Sequence, residues 1–402
     1  MVFGVVGAPA TLDPYSRAAT DLTYWLARPL YPSLYSFRPD GSTRPYLARL
    51  ATRTGNRLVV TLRRARWTNG RLISASDVVS SARRAGPSSG FAAFDLIRAA
   101  GRRRVALEGA VRNPERALAT LGFVLPRGRS GEATAGPYRM QSYRRGLEIV
   151  YRAHPSWSGP APYLDEVTVR FVQSQGLLLS LLDDGQLDAA APLSSVNLAD
   201  TMTDGIALSG VLGWERVVLD FAGSLLTRPE RAAVADALDR KEIEEVFVRS
   251  DGRLSDTVAP GPGPEGAEGP WPTALGRQRS FPDTVDLSAS AGDELLELIR
   301  RAAFTQLSAA GVDVNALTVD PGTFYSSWDV GDDTDVALRR LAGAPSWGRP
   351  AEKARKLASF PLFHVETFVA WRPRLRGLAP NPTFDGPLWN MQRWWRAQPD
   401  GG

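Results

Sequence analysis

Short apolar runs broken by Gly, Pro and Asn dominate this chain, and strands are what they predict most often. Val2-Phe3-Gly4-Val5-Val6-Gly7 alternates too little for a half-exposed strand and is expected to be buried on both faces. Residues 58–62 are β-branched and apolar, bounded by Gly55-Asn56 and by Trp67-Thr68-Asn69-Gly70; Asn-Gly is a tight-turn signal. Residues 146–151, 166–172 and 314–319 read as further strands. Helices are predicted where the period changes to 3.6. Ser74-Ala75-Ser76-Asp77 opens one, with serines as N-caps, and residues 176–182 form another that ends at Asp184-Gly185. Residues 229–248 and 295–307 are amphipathic at helical spacing, whereas residues 256–283 are rich in Pro and Gly and are expected to be a long surface loop. Strands and helices mixed without a strict βαβ repeat predict an α/β fold with mixed sheets. No internal repeat of fixed period is present.

At 402 residues the chain exceeds one compact core and suits two or three domains. No apolar run reaches the ~18 residues that a membrane span needs. Cysteine is absent, which excludes thiol nucleophiles, disulfides and thiolate metal sites. The net charge of +5 hides an asymmetry. Residues 1–131 hold 21 Arg and 7 acids, so the remainder is acidic, at −9. A basic front suits a polyanion partner, and equally an attraction between two oppositely charged lobes. The second reading is preferred, because the Arg-rich stretches 63–66 and 102–104 lack the aromatic interleaving of a single-strand binder. No nucleic-acid partner is expected.

Catalytic chemistry finds little support. Gly86-Pro87-Ser88-Ser89-Gly90 matches G-x-S-x-G, but a nucleophile elbow needs a strand before it and a helix after it. Only His154 and His364 could serve as base, and they are expected to be a turn residue and a core histidine. Asp329, Asp332, Asp333 and Asp335 form an acidic loop without EF-hand spacing. No phosphate-binding glycine loop is present. The expectation is a protein that is not an enzyme and holds neither cofactor nor metal.

Several segments, read in order, resemble the family 5 solute-binding proteins of ABC transporters, the dipeptide, oligopeptide and nickel-binding group. Thr11-Leu12-Asp13-Pro14 is similar to the family's opening T-L-D-P turn. Leu30-Tyr31-Pro32-Ser33-Leu34 resembles its LYE-x-L segment, and Asp40-Gly41 with Pro45-Tyr46-Leu47-Ala48 its DG…P-x-LA. The most specific match runs over residues 61–79, including Trp67-Thr68-Asn69-Gly70 and Ser74-Ala75-Ser76-Asp77-Val78. Ala135-Gly136-Pro137-Tyr138 is similar to GTGPY, residues 182–188 to L-x-x-G-x-x-D, and residues 231–243 to R-x-A-x-x-x-A-x-D-R-x-x-I.

The resemblance implies a two-lobed periplasmic-binding-protein-like fold with a hinge. Lobe I would be discontinuous, residues 1–208 with a C-terminal return over 362–402, and would include a reduced subdomain at about 32–131. Lobe II would span 209–361. The implied function is capture of a small ligand, peptide-like or anionic, between the lobes and its delivery to an ABC permease. Two alternatives stand beside it: a binding-protein-like fold repurposed for sensing or protein interaction, and a serine hydrolase resting on Ser88. The chain starts abruptly at a strand, as expected of a trimmed extracytoplasmic protein, periplasmic or a lipoprotein. Such a protein is expected to be a monomer that meets the membrane only through a lipid anchor absent from this chain. The chain is short between Val79 and Gly136 relative to the family, and no acid stands where peptide-binding members hold the ligand's amino terminus. The expected ligand contacts are Thr20, Asp21, Tyr24, Arg339, Arg340 and Trp347, which offer carboxylate- or phosphate-binding forks beside apolar faces. Trp67, Trp389, Trp394 and Trp395 are expected to anchor cores and the chain terminus.

Overall fold

A computed structural model describes residues 1–86, 89–128, 133–194, 198, 205–221, 225–243, 245, 252–254, 280–320, 324, 334–341 and 359–397. Ser88, Asp329, Asp332, Asp333, Trp347, most of the 256–283 segment and the His364 side chain lie outside them. The backbone of an 11-stranded mixed sheet runs through the whole molecule. Its first half is built on β1 (Val2–Val6), which is buried as its apolar run predicts. The chain later returns with β8 (Tyr138–Arg144), β9 (Glu148–Ala153), β10 (Glu166–Val172), α4 (Gln175–Asp183) and β11 (Ala189–Leu193). β1 lies between β10 and β11, parallel to both.

Before that return the chain makes α1 (Asp21–Ala27), a hairpin of β2 (Tyr35–Phe37) with β3 (Thr43–Pro45), and a separate four-stranded antiparallel sheet. That sheet has the order β4 (Ala48–Thr54), β5 (Arg57–Leu62), β7 (Arg104–Glu108), β6 (Leu96–Ala99). Two helices, α2 (Ala75–Arg84) and α3 (Pro114–Ala119), complete this region. Asn69-Gly70 forms its turn, with Gly70 at φ +80. Ser74 caps α2 as its sequence predicts: the Asp77 carboxylate accepts from the Ser74 N–H at 2.8 Å and pairs with Arg71 at 2.8 Å. Burial works against the charged form of Asp77, but Arg71 and Ser74 together hold its pKa below the usual value.

The two halves of the main sheet meet in two long paired strands, β12 (Ala207–Asp220) and β17 (Ser359–Trp371). β11 pairs with the C-terminal end of β17, and β16 (Val336–Leu341) with the C-terminal end of β12. Between these two zones the β12–β17 register shifts, between residues 212 and 216. β13 (Gly252–Leu254) also pairs with β17. The second half repeats the plan of the first. β14 (Thr284–Ser290) lies between β15 (Asp313–Val319) and β16 and is parallel to both. The helix predicted over 295–307 is α7 (Glu294–Ala309), which packs on this half.

Residues 229–248 do not form the continuous helix their period suggests. The chain makes α5 (Arg228–Asp236), breaks, and restarts as α6 (Arg240–Ile243). The Asp239 carboxylate accepts from the N–H groups of Lys241 and Glu242, both at 3.0 Å, and so competes with helix continuation.

Hydrophobic packing is divided in the same places. One core joins buried residues of 3–191 with Val369, Leu375, Phe384, Leu388, Met391 and Trp394. A second draws only on residues 217–365. A small third cluster lies beneath α4. Chain ends close on the first core: Trp394 is fully buried and stacks on Phe3 with ring centroids 5.3 Å apart. Asp188, from the L-x-x-G-x-x-D segment, accepts from the Val2 N–H at 2.8 Å and pairs with Arg374 at 3.1 Å and Arg396 at 2.6 Å. A short pairing of β18 (Leu375–Arg376) with β19 (Trp395–Arg396) finishes the fold.

Candidate functional site

Ligands of open α/β sheets bind beyond the carboxyl ends of parallel strands, where the connections diverge to either side of a central strand. This fold has two such points. One is the end of β1, between β10 and β11, and the other the end of β14, between β15 and β16. They face each other. A Cβ placed on Gly292, in the turn after β14, would stand 3.7 Å from the carbonyl oxygen of Gln173, in the turn after β10. Gly292 sits at φ +78, a conformation that glycine adopts without strain.

A helix N-terminus borders the space on each side. The Ser174 hydroxyl caps α4 by accepting from the Leu177 N–H at 3.3 Å. Gln175 ties this turn to the end of β11, accepting from Ser194 N–H at 2.7 Å and donating to its carbonyl at 3.1 Å. Opposite, the Asp293 carboxylate caps α7, accepting from Leu296 N–H at 3.1 Å. Both helices therefore direct the positive ends of their dipoles at the gap.

The expected contact residues fall into two groups. Thr20, Asp21 and Tyr24 sit together in the first turn of α1, which follows the loop leaving the end of β1. Thr20 is the N-cap, and its N–H donates to Thr23 Oγ1 at 3.2 Å, while Thr23 in turn donates to the Thr11 carbonyl at 3.0 Å. Asp21 lies at the positive end of α1. The half-buried Tyr24 ring stacks on Phe123 at 6.4 Å, and burial, with the Asp21 charge adding to it, raises its phenol well above the ordinary value.

Arg339 and Arg340 are brought to β16, but successive residues of a strand point to opposite faces. Arg339 pairs with Asp220 at 3.2 Å and lies 6.0 Å from the Phe324 ring centroid. Arg340 pairs with Asp293 at 3.1 Å, on the α7 side and beside the gap. The two arginines thus form no single fork. Trp347 lies outside the described residues. Gln173, Ser174, Gly292 and Asp293 were missed in the sequence, although each pair lies between a strand and an amphipathic helix, the pattern that signals a capped turn.

His154 is the turn residue its Pro155 neighbour suggests. It is buried, its Nδ1 accepts from Ser156 N–H at 3.0 Å, and burial lowers its pKa. Among the described residues, no cluster of three or more His, Cys, Asp or Glu could hold a metal, and no helix is long and apolar enough to cross a membrane. Asp335 accepts from the Asp286 N–H at 3.2 Å.

A mixed sheet with two opposed switch points, joined by a pair of long strands, defines a periplasmic-binding-protein architecture, and comparison with known proteins agrees. The chain belongs to family 5 of the bacterial extracellular solute-binding proteins, whose middle-region model matches residues 128–351. Among solved structures, the oligopeptide-binding protein AppA of Bacillus subtilis, in complex with a nonapeptide, is similar at TM-score 0.80 and 16% identity, over 99% of each chain. The periplasmic binding protein AgaA of A. tumefaciens R10, in complex with agropinic acid, is similar at TM-score 0.82 and 17% identity, over 99% of each chain. A dipeptide-binding protein of Pseudoalteromonas sp. SM9913, in complex with Met-Leu, matches at TM-score 0.80 and 16% identity, over 99% of this chain and 100% of that one. No curated protein sequence matches.

Proposed function

We propose that this protein captures a small solute between its two lobes and delivers it to the permease of an ABC transporter, outside the cytoplasm as a periplasmic protein or a cell-surface lipoprotein. Opposition of the two switch points, with Gly292 within reach of Gln173, is the observation that carries this reading. We read residues 1–208 with 362–402 as lobe I, including the subdomain at about 32–131, and residues 209–361 as lobe II. The division of the hydrophobic cores supports that boundary, and the register shift in the β12–β17 pair supports a hinge there.

The ligand class follows from the walls. Two helix N-termini and Arg340 favour an anionic group, and the half-buried Tyr24 ring, backed by the fully buried Phe123, offers an apolar edge. A small carboxylate-bearing solute, peptide-like or not, fits both. Arg340 is then the charged contact, and Thr20, Asp21 and Tyr24 line the α1 wall; Trp347, outside the described residues, is the remaining proposed contact. Arg339 is held by Asp220 on the other face of β16 and shapes the strand rather than the ligand.

Calorimetry with agropinic acid, Met-Leu and a nonapeptide tests this. At least one should bind, and Arg340→Ala should weaken that binding by about 2–5 kcal/mol, the usual loss for one partner of a buried charged contact. Binding of a cationic solute alone, or unchanged affinity in Arg340→Ala, would refute the assignment.

A further inference from the structure

The four-stranded sheet of the subdomain carries a concentration of charge for which solute capture has no use. Residues 32–131 contain 19 Arg and no Lys against 5 acids, a net of +14 in a chain whose total is +5. One of those acids, Asp77, is buried against Arg71, so that pair cancels and the remaining 18 Arg and 4 acids still carry +14.

The sheet has an inner and an outer face. Leu58, Val60 and Leu107 turn inward to the first core. Strand register places Arg57, Arg98 and Arg104 on the outer face, one in each of three successive cross-strand rows. Glu108 is the one acid of these four strands. It lies between Arg98, at 3.0 Å, and Arg57, at 3.7 Å, and so offsets only part of their charge. Leu50 and Leu96 stand at the two edges of the same face, 63% and 46% exposed. Arg49 adds an exposed arginine on the edge strand β4, whereas Arg53 shares the face of Leu58 and donates to the Gly55 and Val111 carbonyls. At a strand spacing of ~4.8 Å the platform is roughly 15 Å across.

Attraction between the lobes does not account for this charge. The ion pairs of Arg57, Arg71, Arg84, Arg98 and Arg127 close on Asp13, Asp77 and Glu108, all within the first 131 residues. Stacking on a nucleic acid is disfavoured as well, because the four strands carry no aromatic residue. A flat basic face edged by exposed leucines has the composition of a surface that rests in a lipid headgroup layer: guanidinium forks on phosphates, apolar side chains at the acyl boundary. The family is extracellular, so a membrane met by this face would present its outer surface.

We propose that the outer face of this sheet docks the protein on anionic phospholipid headgroups, with Arg57, Arg98 and Arg104 on phosphate and Leu50 and Leu96 in the headgroup boundary. The inference is independent of which solute the cleft takes.

Co-sedimentation of the full chain with vesicles tests it, using phosphatidylcholine alone and phosphatidylcholine with about one third phosphatidylglycerol. The anionic vesicles should bind at least about tenfold more tightly at low salt, and high salt should abolish the difference. The variant R57Q/R98Q/R104Q should lose that gain, L50S/L96S should lose part of it, and R139Q/R145Q/R152Q, changed on exposed positions of the β8–β9 hairpin and its turn, should keep it. Circular dichroism checks the fold of each variant; if the triple variant does not fold, the headgroup and salt dependence of the unaltered protein decides. Equal binding to both vesicles overturns the proposal, as does an equal loss in the β8–β9 variant. Salt-sensitive retention of a single-stranded oligonucleotide without vesicle binding would identify a nucleic-acid partner instead. Salt-sensitive self-association without vesicle binding would identify the acidic half of a second copy. Either result overturns the lipid assignment.

Discussion

Trp394→Ala is the most informative single perturbation of the fold. Trp394 is fully buried, stacks on Phe3 of the first strand, and donates its indole N–H to Asn390 Oδ1 at 2.8 Å. Truncating a buried Trp to Ala costs about 3–5 kcal/mol. The lost stack accounts for about 0.5–1.5 kcal/mol of that, and the Asn390 acceptor is left without its partner. At about 2–4 °C per kcal/mol for a unit of 150–250 residues, melting of the first core should fall by about 6–20 °C. The adjacent Trp395 is 44% exposed, so Trp395→Ala should cost under about 1 kcal/mol and shift melting by under about 4 °C. Scanning calorimetry is the assay, because two separate cores can melt as two transitions. The lower-melting species should be the one containing Phe3, and the transition of the 217–365 core should hold. A Trp394→Ala protein with unchanged melting but lost ligand affinity would refute the anchoring role and make this residue a ligand platform.

Other outcomes follow from the same geometry. Asp188→Asn should destabilise at neutral pH, because Val2, Arg374 and Arg396 all converge on the carboxylate. Burial opposes the charge of Asp188, but these donors hold its pKa below the ordinary value. Its contribution is therefore complete above about pH 4 and disappears as pH falls through the lowered pKa; urea midpoints of the variant should lack that acid-limb loss. His154 has its pKa lowered by burial, so the unfolded chain binds the proton more tightly. Stability should fall as pH drops below about 6.5, and His154→Asn should flatten the thermal-shift profile between pH 5 and 7.5. Gly136→Ala should destabilise by several kcal/mol in urea titration, since its Cβ would stand 2.2 Å from the Pro29 carbonyl oxygen.

Much of the fold was legible because local rules and tertiary context agreed. The strand predicted over 166–172 is β10, the Ser74 cap and the Asn69-Gly70 turn form as read, and the 295–307 helix extends by one residue at its N-terminal end and two at its C-terminal end. Residues 229–248 misled because Asp239 offers its side chain to the backbone, a competition that periodicity does not register. The motif residues that carried the family resemblance are mostly folding devices. Asp77 caps a helix, Asp188 clamps both chain ends, and Gly136 makes room for the Pro29 carbonyl. They revealed the architecture and left the site obscure. The gap is bordered by strand-to-helix turns such as Gln173-Ser174 and Gly292-Asp293, and nothing in one sequence says which two of many such turns face each other. Arg339 and Arg340 looked like a pair for the opposite reason: adjacency in sequence on a strand separates side chains instead of joining them.

Cross-linking across the gap tests the central claim most directly. The chain has no cysteine, so Q173C/G292C introduces the sole reactive pair, at positions that already approach across the two turns. A short bis-maleimide should join them in one molecule, and whichever of agropinic acid, Met-Leu or nonapeptide binds the unaltered protein should then be excluded when added afterwards and retained when added first. Unchanged uptake by the cross-linked protein would contradict capture between the lobes.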